Sequence, residues 1–84
     1  MNPEFCNEPV SVVAHMGGES EIMPQTIIWR DKQYYLTAVG RQWDETDGRH
    51  ILVEAADSTR FELELRREDF TWRVRKVWWA ASVA

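Results

Sequence analysis

Apolar and polar residues alternate along most of this chain with a period of two. Ile51, Val53 and Ala55 alternate with His50, Leu52 and Glu54, and Phe61, Leu63 and Leu65 alternate with Arg60, Glu62 and Glu64. That is the pattern of a pleated sheet with one apolar face, and no segment shows a convincing helical period. Trp29, Trp43, Trp72 and Trp78 stand in such runs and are predicted to point into the domain.

Punctuation sets the elements. Residues 1–8 lack periodicity and are predicted to be a flexible N-terminus, whereas Pro9 opens an edge strand over 10–16, where a missing ladder donor is tolerated. Gly17-Gly18 ends that strand, and the chain through Pro24 reads as a loop anchored by Ile22 and Met23. A strand over 26–29 and a turn at Arg30-Asp31-Lys32-Gln33 lead into a run over 34–43. There Tyr34 and Leu36 are out of phase with Val39 and Trp43, so one β-bulge is predicted near Ala38-Val39 or Gly40. Asp47-Gly48 supplies the positive φ of the next hairpin.

Beyond it, the short link Ala56-Asp57-Ser58 places Val53 opposite Phe61, Ile51 opposite Leu63 and Glu54 opposite Arg60. A turn at Arg66-Arg67-Glu68-Asp69 then sets Leu63 against Trp72, Phe61 against Val74 and Glu62 against Arg73. Connections this short specify an antiparallel meander, so the predicted fold is mainly β, with six strands in a strongly bent sheet or small open barrel. Residues 9–79 form that single domain and 80–84 a C-terminal tail, with room for one helical turn at Trp79-Ala80-Ala81-Ser82.

Composition narrows the function classes. A chain of 84 residues buries a modest core, and its five tryptophans enlarge it because each aromatic side chain hides about 150–250 Å². Cys6 is alone, which excludes an intramolecular disulfide and fits a reducing cytoplasm. There is no apolar run of spanning length and no signal-peptide pattern, so a soluble cytoplasmic protein without membrane association is expected. The net charge of −4 argues against a broadly nucleic-acid-binding surface, yet every Lys and Arg lies at or after Arg30 while Glu4, Glu8, Glu19 and Glu21 precede it.

Between Pro24 and Trp78 the sequence resembles a family of small bacterial β-rich domains of unknown function, which occur alone or attached to proteins resembling Y-family DNA polymerases. The resemblance rests on Pro24, Ile27, Trp29-Arg30, Tyr34, Leu36, Val39 and Trp43, then on Trp72, Val74 and Val77-Trp78. The family pattern has Trp-Arg-Gly, a Tyr five residues after the Trp, and a closing Arg-Val-Trp; here Asp31 stands for the glycine and Lys76 for the arginine. It implies an association with DNA repair or replication accessories and assigns no catalytic or binding residue.

Candidate chemistry is sparse. His50 faces Glu64 across the predicted ladder, which reads as a solvated cross-strand pair, and His15 with Cys6 is too few ligands for a metal. The acidic turn over 44–48 lacks the ordered ligand spacing of a calcium loop, and no nucleophile elbow or phosphate loop is present. No catalytic residue, metal or cofactor is therefore predicted. A binding surface is: Val77, Trp78 and Trp79 end the chain with both parities apolar, as expected of an interface with a second copy or a larger protein. The alternative is a single-stranded nucleic-acid surface made by Arg60, Arg73, Arg75 and Trp79, since arginine among aromatics grips phosphate and stacks bases.

Overall fold

The computed structural model describes residues 2–19 and 21–80. It contains β1 (Glu4–Pro9), β2 (Ser11–Met16), β3 (Ile22–Trp29), β4 (Lys32–Asp44), β5 (Gly48–Ala55), β6 (Arg60–Arg66) and β7 (Trp72–Trp78). All pairings are antiparallel, in the order β1-β7-β6-β5-β4-β3-β2. The mainly β, bent-sheet prediction holds, with seven strands in place of six. No helix of the described residues is long and apolar enough to cross a membrane. The tail beyond Ala80 and the helical turn predicted there lie outside the described residues.

The seventh strand comes from the stretch read as a flexible N-terminus. β1 and β2 are separated by Val10 alone, yet they occupy opposite edges of the sheet. Successive Cα atoms are about 3.8 Å apart, so the two edges must meet at Val10, and the sheet curls into a half-barrel. Val10 N–H donates to the Trp72 carbonyl (3.2 Å), fixing the corner. β4 makes the opposite corner: residues 32–35 pair with β3, and the strand pairs with β5 from Leu36 onward. Register shifts between Leu36 and Ala38 and between Val39 and Gln42 bend it there, where one bulge was predicted.

The extra bulge changes what Trp43 does. Val39 pairs inward with Val53, but Trp43 pairs with His50 and stacks on its ring (5.4 Å) on the opposite face. Only Trp29 of the four tryptophans predicted to point inward is fully core, in edge contact with Phe61 (5.8 Å), while Trp72 packs against the core half-buried. β3 begins at Ile22, earlier than predicted, because Ile22 is itself buried in the core.

The β5–β6 register matches the sequence reading at Val53–Phe61, Ile51–Leu63 and Glu54–Arg60. The β6–β7 register does not: Leu63 faces Val74, Phe61 faces Val77 and Glu62 faces Lys76. The turn extends through Thr71, whose carbonyl accepts from Arg66 N–H (2.8 Å), and this moves the ladder by two residues with inward parity kept. A bulge at Arg75 then turns Val77 into the core.

Turn chemistry explains the hairpins. Arg30 (φ 51°) and Asp31 (φ 63°) are both left-handed, the conformation of a two-residue I′ turn that Asp tolerates without the glycine of the family pattern. Gly48 is required by close approach, since a Cβ there would stand 2.2 Å from the Leu65 carbonyl oxygen. Arg30 locks β1 to the β3–β4 turn, donating to Glu8 (2.6 and 3.0 Å) and Glu4 (3.0 Å) while its guanidinium covers the Trp29 ring (4.1 Å).

Two outcomes follow from this frame. Phe70 is left-handed (φ 57°) and 76% exposed, so Phe70→Gly removes backbone strain at little packing cost and raises the unfolding free energy by about 1 kcal/mol in urea titrations. The Glu4 carboxyl lies below its ordinary pKa because the Trp79 indole N–H and Arg30 donate to it, and Glu8 does so because of Arg30. Their stabilisation is complete above the unfolded glutamate pKa and is lost as pH falls through the lower folded values. Melting temperature should decline with acid below about pH 4, and less steeply in a Glu4→Gln, Glu8→Gln double variant.

Candidate functional site

Val77, Trp78 and Trp79, the predicted interface, go to three different places. Val77 is fully buried opposite Phe61 and has no surface to offer a partner. Trp78 walls an open groove of about 430 Å³ together with Gly40, Leu52 and Phe61, rimmed by Arg41 and Arg60. Trp79 is 40% exposed; it stacks on Trp29 (5.7 Å) and donates its Nε1–H to Glu4 (3.0 Å), so it caps the barrel end against β1. The buried Trp29 Nε1 finds no aligned acceptor.

The arginines of the nucleic-acid reading are likewise held by separate partners. Arg60 pairs with Glu54 (3.2 Å) and keeps an exposed side chain at the groove rim. Arg73 donates to the Asn7 carbonyl of β1 (3.3 Å), and its Nε is buried without a partner. Arg75 is drawn into a polar cluster, donating from Nη1 to Glu64 Oε1 (2.9 Å) and Asp47 Oδ2 (3.2 Å).

That cluster was missed by sequence reasoning. His50 and Glu64 do face one another across β5 and β6, but they are buried, at 3% and 1% exposure. Glu62, also buried, sits on His50 Nδ1 (2.9 Å), and Lys76 Nζ reaches the other Glu62 oxygen (3.5 Å). His50 Nε2 faces Asp47 Oδ1 (3.0 Å), Glu45 Oε2 (3.5 Å) and Glu64 Oε2 (4.0 Å). Burial disfavours the imidazolium, but hydrogen bonds to Asp47 and Glu62 outweigh it and raise the His50 pKa. Asp47 is held well below the carboxylate range, first by its contact with Glu64 and then by His50; Glu64 is pushed up by burial and by Asp47. Glu45, Asp47 and His50 offer ligand atoms within 4.8 Å of one another. Cys6 is separate: its thiol donates to the Val74 carbonyl (3.3 Å), and burial raises its pKa, which keeps it an unreactive thiol.

A third feature lies at the free edge. β2 pairs only with β3 among the described strands. Val13, Thr26 and Tyr35 form one row across β2, β3 and β4, with Val13 61% and Tyr35 63% exposed. Ile28, two residues beyond Thr26, and Met23, opposite the outward His15, are exposed as well. The result is an apolar band on the outward face, beside a strand with no charged residue.

A family model described as Domain of unknown function (DUF6504) matches residues 1–83. The chain belongs to this family. No curated protein and no solved structure matches it. The match reaches past the Pro24 to Trp78 core of the resemblance and takes in β1 and β2. Since the family description carries no activity, the geometry bears the functional reading.

The role of Trp79 can be weighed directly. Trp79→Ala removes the stack on Trp29 and the donor to Glu4, and should cost about 1–3 kcal/mol of unfolding free energy by urea titration, half-burial placing it below a full core truncation. An unchanged midpoint would show that the cap contributes nothing.

Proposed function

We propose that this domain is a non-catalytic, cytoplasmic interaction module that associates with a second copy of itself through the free edge of β2. The supporting observation is the exposed band of Val13, Tyr35, Ile28 and Met23 beside the free edge of β2. Sheet edges in monomeric proteins are commonly protected by lysine, proline or an inward charge; Ser11-Val12-Val13-Ala14-His15-Met16 carries none of these. Antiparallel pairing of two copies about a two-fold axis sets these residues against their own kind without opposing like charges, and it merges the two apolar bands. The Trp78 groove beside Arg60 remains open to a larger partner.

A second reading, a single-stranded nucleic-acid accessory module of a bacterial repair or replication system, is favoured by one observation. Arg41 and Arg60 flank a groove walled by Trp78, and Arg41 also lies over the Trp43 ring (5.1 Å). The resemblance to domains attached to polymerase-like proteins leans the same way. With Arg75 committed to Glu64 and Asp47, and Arg73 to Asn7, the groove offers only Arg41 and Arg60 as cations, fewer phosphate contacts than a tight binder needs.

Sedimentation equilibrium separates the two. Self-association predicts a dimer mass that is insensitive to salt and lost in Val13→Lys, with unchanged circular dichroism. A monomer at every concentration up to roughly 1 mM would end the first reading, as the affinity would be too weak to matter. Retention on single-stranded DNA that falls steeply with salt and disappears in Arg60→Ala would establish the second.

A further inference from the structure

We propose that Glu45, Asp47 and His50, joined by Glu64, form a binding site for one divalent transition-metal ion of the zinc class. The ligand set is nitrogen and oxygen without thiolate, which suits zinc or manganese and, through its imidazole, disfavours calcium.

Four observations converge on it. The first is the direction of the ligand atoms. Each of the three carboxylates has one oxygen held from outside: Glu45 Oε1 by Trp43 Nε1 (3.0 Å), Asp47 Oδ2 and Glu64 Oε1 by Arg75 Nη1 (3.2 and 2.9 Å). The remaining oxygen of each is the one turned toward His50 Nε2.

The second is the spacing. Metal arms of about 2.0–2.1 Å in a tetrahedron put neighbouring ligand atoms about 3.3 Å apart. His50 Nε2 stands 3.0 Å from Asp47 and 3.5 Å from Glu45. Glu64 at 4.0 Å completes the set with a small side-chain rotation.

The third is the outer support. His ligands of metals almost always pass their other ring N–H to a carboxylate or carbonyl, which fixes the tautomer and aims the free nitrogen. Glu62 does this at His50 Nδ1 (2.9 Å), with Lys76 behind it, and the stacked Trp43 ring holds the imidazole plane. The turn carrying Glu45 and Asp47 is closed by reciprocal Glu45–Gly48 backbone hydrogen bonds (2.8 and 3.2 Å) and tied to the next loop by Arg67 N–H on the Asp47 carbonyl (2.9 Å).

The fourth is charge. Arg75 answers for Asp47 and Glu64 together, and Lys76 for Glu62, so two of the four carboxylate charges around His50 are left to the imidazole and to a cation. A dication supplies that charge and displaces the Nε2 proton.

The test is calorimetric titration of the metal-free full chain with zinc chloride and, separately, manganese chloride, paired with thermal melting. One ion per chain and a rise in melting temperature are expected. Glu45→Gln, at an exposed turn residue that leaves the sheet intact, should weaken zinc at least about tenfold, and Glu62→Gln should weaken it through the loss of ring orientation. His50→Asn should abolish uptake; if that variant fails to fold, Glu45→Gln decides. Absence of saturable one-to-one uptake of either ion overturns the proposal. So does uptake that is unchanged in Glu45→Gln, or that is lost instead in Cys6→Ser or His15→Asn.

Discussion

The structure depends on a covalent constraint: a single residue, Val10, joins two strands that pair at opposite edges of one sheet. A flat sheet of seven strands would hold those edges tens of ångströms apart at about 4.8 Å per strand, so the link is possible only if the sheet rolls up. Curling brings Trp29, Tyr34, Phe61 and Val77 around one interior, and the aromatic contacts Tyr34–Phe61 (4.9 Å) and Trp29–Phe61 (5.8 Å) fill it. The closure is then sealed from outside, where Arg30 grips Glu4 and Glu8 and Trp79 lies on Trp29.

Bulges give this small domain two usable surfaces. Each shift in β4 or β7 reverses which side chains look inward, so Val39 and Val77 reach the core while Trp43 leaves it. Trp43 then covers His50, and the outward face of β5 and β6 becomes a second, polar interior holding Glu62 and Glu64. Burying so many ionisable groups is costly unless each is answered, and Arg75, Lys76 and the acidic turn supply the answers. The bulge at Arg75 contributes twice, tucking Val77 in and placing the guanidinium on Glu64.

The β2–β3 end of the sheet shows the opposite economy. β2 and β3 spend their inward residues, Ile22 and Ile27, on the core and leave Val13, Ile28 and Tyr35 to solvent, and β2 carries no lysine along its free edge. One end of the barrel is thus rich in charge and the other in exposed apolar surface. The proposed association uses the second, and the proposed ion site the first.

The two-residue period determined the strands, their antiparallel order and the β5–β6 register, because alternation and a three-residue link leave only one pairing that puts Phe61 and Leu63 beside Val53 and Ile51. It also set His50 opposite Glu64. It could not say that this pair is buried, since burial of the outward face depends on Trp43, Asp47 and Arg75 arriving from other strands. Nor could local pattern reveal β1: residues 4–9 have no alternation of their own, and they become a strand only where the β7 edge offers unpaired backbone groups. Periodicity is a property of neighbours along the chain, whereas closure, bulge position and the convergence of carboxylates on one imidazole arise between segments far apart in sequence, and only the tertiary structure decides them.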